Sequence, residues 1–198
     1  MLSSIHPLGE RARQSNWWVA VSSFAITSTA AGAAVGWVAG WIGTLLVRWS
    51  AHTQMLLVGL TMIVAALLEF ARVPVPSSHR QVNERWIGAY RSWVYGGGFG
   101  LQLGTGFLTH VVTWAVPAVF LAELLLANPG TGALVGAAFG GGRWLLLGAA
   151  GWIDRPSRLS RFTATLARWA APAAWAAPVV LLGLGSTVML LGWGGATQ

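Results

Sequence analysis

The chain has 198 residues, of which 55% are hydrophobic and 9% charged, with a formal net charge of +7. A typical soluble domain is about a quarter charged, so a soluble globular class is excluded and a polytopic, all-α transmembrane bundle is expected. There are no cysteines, which excludes disulfides, Cys-ligated zinc, thiolate nucleophiles and dithiol relays.

Residues 1–16 are polar and then basic, and read as a cytoplasmic N-terminal segment. The apolar run that follows is far longer than a signal-peptide core of roughly 7–15 residues, so an uncleaved first span is expected. A helix crossing the hydrocarbon needs about 20 apolar residues. By that rule five spans are expected, at 17–47, 54–71, 93–127, 131–151 and 171–193, together forming one transmembrane domain over 17–194.

All the basic residues are arginines, and they orient the spans. Arg11 and Arg13 precede the first span. Arg72, Arg80, Arg85 and Arg91 lie between the second and third, and Arg155, Arg158, Arg161 and Arg168 between the fourth and fifth. Cytoplasmic loops hold the arginine excess, so the connections at 72–92 and 152–170 are placed inside, with the N-terminus in and the C-terminus out. Only Arg48 marks the other side. The positive charge is accounted for by topology, and no nucleic-acid partner is expected. Trp17, Trp18, Trp49, Trp86, Trp93, Trp152, Trp169, Trp175 and Trp193 fall near span ends, where indole favours the interface. Trp37, Trp41, Trp114 and Trp144 fall deeper and are expected to pack between helices.

The pattern of a long small-residue span, a tight outer connection, a return span and a basic stretch occurs at 17–92 and again at 93–170, so two related halves are expected. In the second basic stretch Leu159, Phe162, Leu166 and Trp169 share a helical face, with Asp154 as a cap and Pro156 in the first turn. Val82, Trp86, Tyr90 and Trp93 do the same in the first. Both read as surface helices on an anionic leaflet, with a docking face for a partner as the alternative.

Glycines recur every four residues in three spans: Gly32, Gly36 and Gly40; Gly96, Gly100 and Gly104; Gly132, Gly136 and Gly140. Lipid is as apolar as leucine, so helices in it associate through close backbone approach over small residues. The stripes are therefore expected to be packing faces, the alternative being helix unwinding at a ligand. Gly59 has no glycine four residues away and is expected to tolerate a larger side chain better. The third expected span is about 52 Å long as straight helix, against a hydrocarbon core of about 30 Å. It must tilt, extend or break, and Gly96-Gly97-Gly98 and Pro117 are the expected break points.

Within that span Gln102, Thr109 and Thr113 share a helical face, with Thr105 at its margin. Glu69, His110 and Arg143, from three spans, fall at a comparable depth, as does Thr29. An intramembrane polar site of Glu69, His110, Arg143, Gln102, Thr109 and Thr29 is expected, either as a cluster fixing helix register or as a proton-linked or anion-binding site. Snorkelling of Glu69 and Arg143 to the interface is the third reading. Glu123 lies a few residues from the outer turn and is expected to reach the interface. No histidines have metal-ligand spacing. GGGFGLQLG has no preceding strand and no following Lys-Ser/Thr, so it is not a phosphate loop. No catalytic set, metal or cofactor is expected, and an enzyme is the less favoured class.

The segments FGLQLGTGFLTHVVTWAVPAV and SFAITSTAAGAAVGWVAGW resemble small polytopic membrane proteins of the DsbD/CcdA type. The resemblance implies small-residue-rich, kinked spans in two related halves. That family moves reducing equivalents through a cysteine in each half and has six spans. This chain has no cysteine and five expected spans, so no catalytic residue carries over. The function expected is that of a transporter-like or membrane-biogenesis protein of a bacterial cytoplasmic membrane. The alternative is a non-catalytic subunit or scaffold whose glycine faces bind another membrane protein or a second copy of the chain. In either case the lipid bilayer is the first partner.

Overall fold

A computed structural model describes residues 6–77 and 86–194. Among them every regular element is a helix: α1 (Pro7–Ala12), α2 (Trp17–Leu46), α3 (Ala51–Phe70), α4 (Trp86–Ala89), α5 (Ser92–Gly104), α6 (Ala115–Leu126), α7 (Pro129–Gly142), α8 (Trp144–Ala149), a short 3-10 turn and α9 (Pro156–Gly194). Four stretches are long and apolar enough to cross a membrane: 17–46, 51–70, 129–152 and 156–194. Arg80, Arg85 and Val82 of the first basic stretch lie outside the described residues.

The helix starts follow local chemistry. His6 Nδ1 accepts from Gly9 N–H at 3.0 Å, with Pro7 next in the chain. Ser50 Oγ accepts from Thr53 N–H at 3.3 Å, and Asn128 Oδ1 from Thr131 N–H at 3.0 Å. Each satisfies one of the donors that a first helical turn leaves open. Pro129 and Pro156 open α7 and α9, where the missing N–H costs nothing. Asp154, expected as a cap, instead pairs with Arg158 at 3.0 Å.

Three expectations need correction. The third expected span is not one helix: α5 ends at Gly104, residues 105–114 are non-helical, and α6 begins at Ala115. The break is at neither expected point. Gly96-Gly97-Gly98 lie inside α5 and Pro117 in the first turn of α6. The chain leaves α5 through Gly106, whose φ of 79° is open to glycine and costly for other residues. Second, the basic stretch from Pro156 and the last apolar stretch are one continuous helix of 39 residues, α9, with Pro172 and Pro178 inside it. Third, Trp37, Trp41 and Trp144 are 49%, 47% and 38% exposed, so they do not pack between helices.

The chain divides into two compact units. The first comprises Met1–Gly32, Ser78–His110 and Ala137–Ala170. Its core joins Trp17, Ala20, Val21 and Phe24 of α2 to Tyr95 and Phe99 of α5 and Leu147 of α8. A Cβ on Gly96 would strike the Ala20 carbonyl, one on Gly100 the Phe24 carbonyl, and one on Gly104 the Ser28 carbonyl. Both helices advance four residues per contact, so they run parallel with their backbones touching. Hydrogen bonds reinforce the seam: Ser23 Oγ donates to the Trp93 carbonyl at 2.7 Å and Thr27 Oγ1 to the Gly97 carbonyl at 2.9 Å. Buried Ser28, which also meets Gly104, donates to the Gly140 carbonyl of α7 at 2.7 Å.

The second unit comprises Ala33–Ser77, Val111–Gly136 and Ala171–Gln198. Here α3 packs on α6, and Ala65, Ala66, Ala118 and Leu181 form the core. Gly36 of α2 and Gly132 of α7 abut, each leaving no room for a Cβ on the other. One turn on, a Cβ on Gly40 would lie 2.5 Å from the Asn128 carbonyl oxygen, so the two chains run antiparallel. Gly59, expected to be tolerant, packs against α9: its Cβ would lie 2.7 Å from the Gly185 carbonyl oxygen. Its glycine partner is on another helix, where four-residue spacing along one chain cannot reveal it.

Candidate functional site

Polar groups close the start of α6. Glu69, near the end of α3, turns its carboxylate to the start of α6. Its Oε2 accepts from the Trp114 backbone N–H at 2.6 Å and from Thr113 Oγ1 at 3.1 Å. Thr113 Oγ1 in turn accepts from Ala115 N–H at 3.2 Å. The Trp114 indole donates to the Val73 carbonyl at 2.7 Å. A carboxylate at a helix N-terminus meets the positive end of the dipole and the unused N–H groups together. The break thus has a specific closure, from α3.

Glu123 lies on the same helix, nearer its other end, and is 1% exposed, so it does not reach an interface. Neither carboxylate oxygen meets a hydrogen-bond donor of the protein. The α2 seam encloses it: a Cβ on Gly36 would lie 2.9 Å from Glu123 Oε1. Depth counted along one straight span places Glu123 near the surface. The sequence signal for its burial is the run Gly36, Gly40 and Gly43, whose positions face Glu123, Asn128 and Leu124.

Of the other expected site residues, Arg143 is the N-cap of α8 and sets its guanidinium 4.4 Å from the centre of the Phe139 ring, a cation–π contact. Thr29 donates back to the Ala25 carbonyl of its own turn at 2.8 Å, as threonine in a helix does. Gln102 is in α5, where its carbonyl accepts from Thr105 Oγ1 at 2.9 Å. Thr109 and His110 lie in the non-helical 105–114 segment, so the expected helical face of Gln102, Thr109 and Thr113 does not form. Glu69 and Thr113 belong to the second unit; Thr29, Gln102, Thr109, His110 and Arg143 to the first.

Glu10 is not among the expected site residues. It is 0% exposed, pairs with Arg13 and accepts from the Tyr95 hydroxyl. Its position among polar neighbours in the first 16 residues hides its burial. The signal available was scarcity, since the chain has five acidic residues and two tyrosines.

Among the described residues no group of three or more His, Cys, Asp or Glu side chains is placed to hold a metal ion. Fold and polar groups together define a class: among the described residues every regular element is a helix, four are able to cross a membrane, and a fifth apolar stretch is broken by a non-helical segment. Within that class the chain is similar to methylamine utilization protein MauF. It is 34% identical to that of Paracoccus denitrificans over 161 residues, 79% of this chain and 55% of that protein. To that of Methylorubrum extorquens it is 40% identical over 78 residues, 39% of this chain and 27% of that protein. The chain thus spans about a quarter to about half the length of the curated relatives it matches. No family model matches it, and no solved structure does.

Proposed function

We propose that this chain is a multi-pass protein of the cytoplasmic membrane, N-terminus inside, that serves methylamine utilization from within the bilayer as a transporter-like or biogenesis component. The observation that carries this reading is the interrupted third apolar stretch. At 1.5 Å per residue α5 and α6 are about 20 and 18 Å long, so neither crosses a core of about 30 Å alone. Non-helical backbone at membrane depth is tolerated where it is buried in protein or lines a water-filled cavity. Broken helices of this kind are where transporters place their sites. The physiological setting comes from the name of the MauF relatives, and the orientation from the arginine bias. Likeness to the DsbD/CcdA type is part of this reading as architecture only, without thiol chemistry.

The scaffold alternative has less support. It needs glycine faces free to receive another protein, and Gly36, Gly40, Gly96, Gly100, Gly104, Gly132 and Gly140 all abut this chain's own backbone.

The test is deletion of the gene in its native host. Growth should fail with methylamine as the nitrogen source and persist with ammonium. Wild-type protein should restore it, and Glu69→Leu protein present at normal level in the membrane should not. Unimpaired growth of the deletion strain on methylamine contradicts the setting. Orientation is read separately from a single cysteine at Ser157, which an impermeant thiol reagent should not modify in intact cells.

A further inference from the structure

The described glutamates divide by their partners. Glu10 has Tyr95 and Arg13, and Glu69 has Trp114 and Thr113. Glu123 is as buried as Glu10 and has no donor on either oxygen.

Among the described residues of the second unit, no cationic side chain is placed against it. The α2 face over 33–46 carries no titratable side chain, nor does α7 over 129–136, nor α9 from Ala171 onward. On α6 Glu123 is the only one. The other titratable groups of the second unit are Arg48, His52, Glu69 and Arg72. Arg48 is exposed, Arg72 lies 5.8 Å from the centre of the Trp175 ring, and Glu69 is held at the opposite end of α6. His52 is near the start of α3, two turns or more from any residue that packs on α6 in the core.

An unpaired carboxylate in such a place is costly, and a neutral acid far less so. Space narrows the choice of ligand. At Gly36 the Gly132 carbonyl and Glu123 Oε1 converge so closely that a single methyl group would clash with both. Both carboxylate oxygens are sealed from space the size of a water molecule, so neither a hydrated metal ion nor an ammonium fits beside them. A proton does, and the Gly132 carbonyl lines the same space.

We propose that Glu123 is a proton-binding site inside the membrane domain. The carboxyl holds a proton within the glycine seam of α2, α6 and α7. It becomes a carboxylate when that proton passes to water and an acid again when one is taken from water. The inference rests on the reading of the chain as membrane-embedded, and it assigns that protein a ligand.

The test uses the full chain in native membrane vesicles, treated with dicyclohexylcarbodiimide, an apolar reagent that adds to protonated carboxyls and leaves a stable acylurea. Mass spectrometry locates the adduct. Glu123 should be modified several-fold more than Glu69, and the modification should fall several-fold as the pH is raised from about 6 to about 9. Glu123→Gln, which keeps the shape and neutrality of the acid, should fold with an unchanged melting temperature and lose the adduct. It should also lose the infrared carbonyl band of a protonated carboxyl. No adduct on Glu123, or an adduct indifferent to pH, overturns the proposal. Failure of the membrane reading is seen independently, as protein that does not sediment with the vesicles.

Discussion

Tyr95 donates its hydroxyl hydrogen bond to Glu10, 85 residues earlier in the chain, and so ties α5 to the N-terminal helix α1. Both side chains are buried, and Arg13 holds the second carboxylate oxygen. Removing one partner leaves a buried acceptor short of a donor, which costs about 1–3 kcal/mol. Tyr95→Phe should therefore lower the thermal stability of the detergent-solubilised protein by that order. Arg13→Ala should cost less, since its side chain is 35% exposed. A Tyr95→Phe protein as stable as wild type would show that the bond contributes nothing.

The glycine seams make a second forecast. Gly132 leaves no room for a Cβ against the Gly36 carbonyl, whereas Gly183 has nothing within 4 Å. Overpacking a tight interface costs about 1–3 kcal/mol, and more when backbone must move. Gly132→Leu should reduce the yield of folded protein sharply, and Gly183→Leu should leave it near wild type. Gly59→Leu should resemble Gly132→Leu, because Gly59 faces Gly185. Equal yields from all three would refute close backbone approach as the basis of assembly.

These positions show what could be read from the chain and what could not. Apolar length announces α2, α3 and α7, because that signal is local. Four-residue glycine spacing marks a helix that touches something but not what it touches, and it carries no sign of Gly59, whose partner Gly185 is on another helix. The break lies at 105–114, a place that neither glycine count nor proline position marks. What ends α5 is one left-handed residue, Gly106, and what starts α6 is a carboxylate from another helix. Glu123 escaped because burial there is made by α2 and α7, which depth along a single span cannot register.

Glu69 and Thr113 should behave as one unit at the start of α6. Residues that share a hydrogen-bond network couple by about 0.5–3 kcal/mol, whereas independent sites agree within about 0.5. In a double-mutant cycle on the purified protein, Glu69→Gln and Thr113→Val should each destabilise, and the pair should cost less than the sum. Strict additivity would mean that the carboxylate does not close the helix break.

The interrupted third stretch is the centre of the account, and the absence of native cysteine makes it directly measurable. Single cysteines at Thr109 and Val112, in the break, and at Leu184, on the exposed apolar face of α9, can be titrated with a hydrophilic thiol reagent in membranes. If the break lines a water-filled site, Thr109→Cys and Val112→Cys should react within about tenfold of a cysteine in the polar segment at Gln14, and Leu184→Cys about a hundredfold more slowly. Reaction at 109 and 112 as slow as at 184 would place the segment out of reach of water and contradict the account.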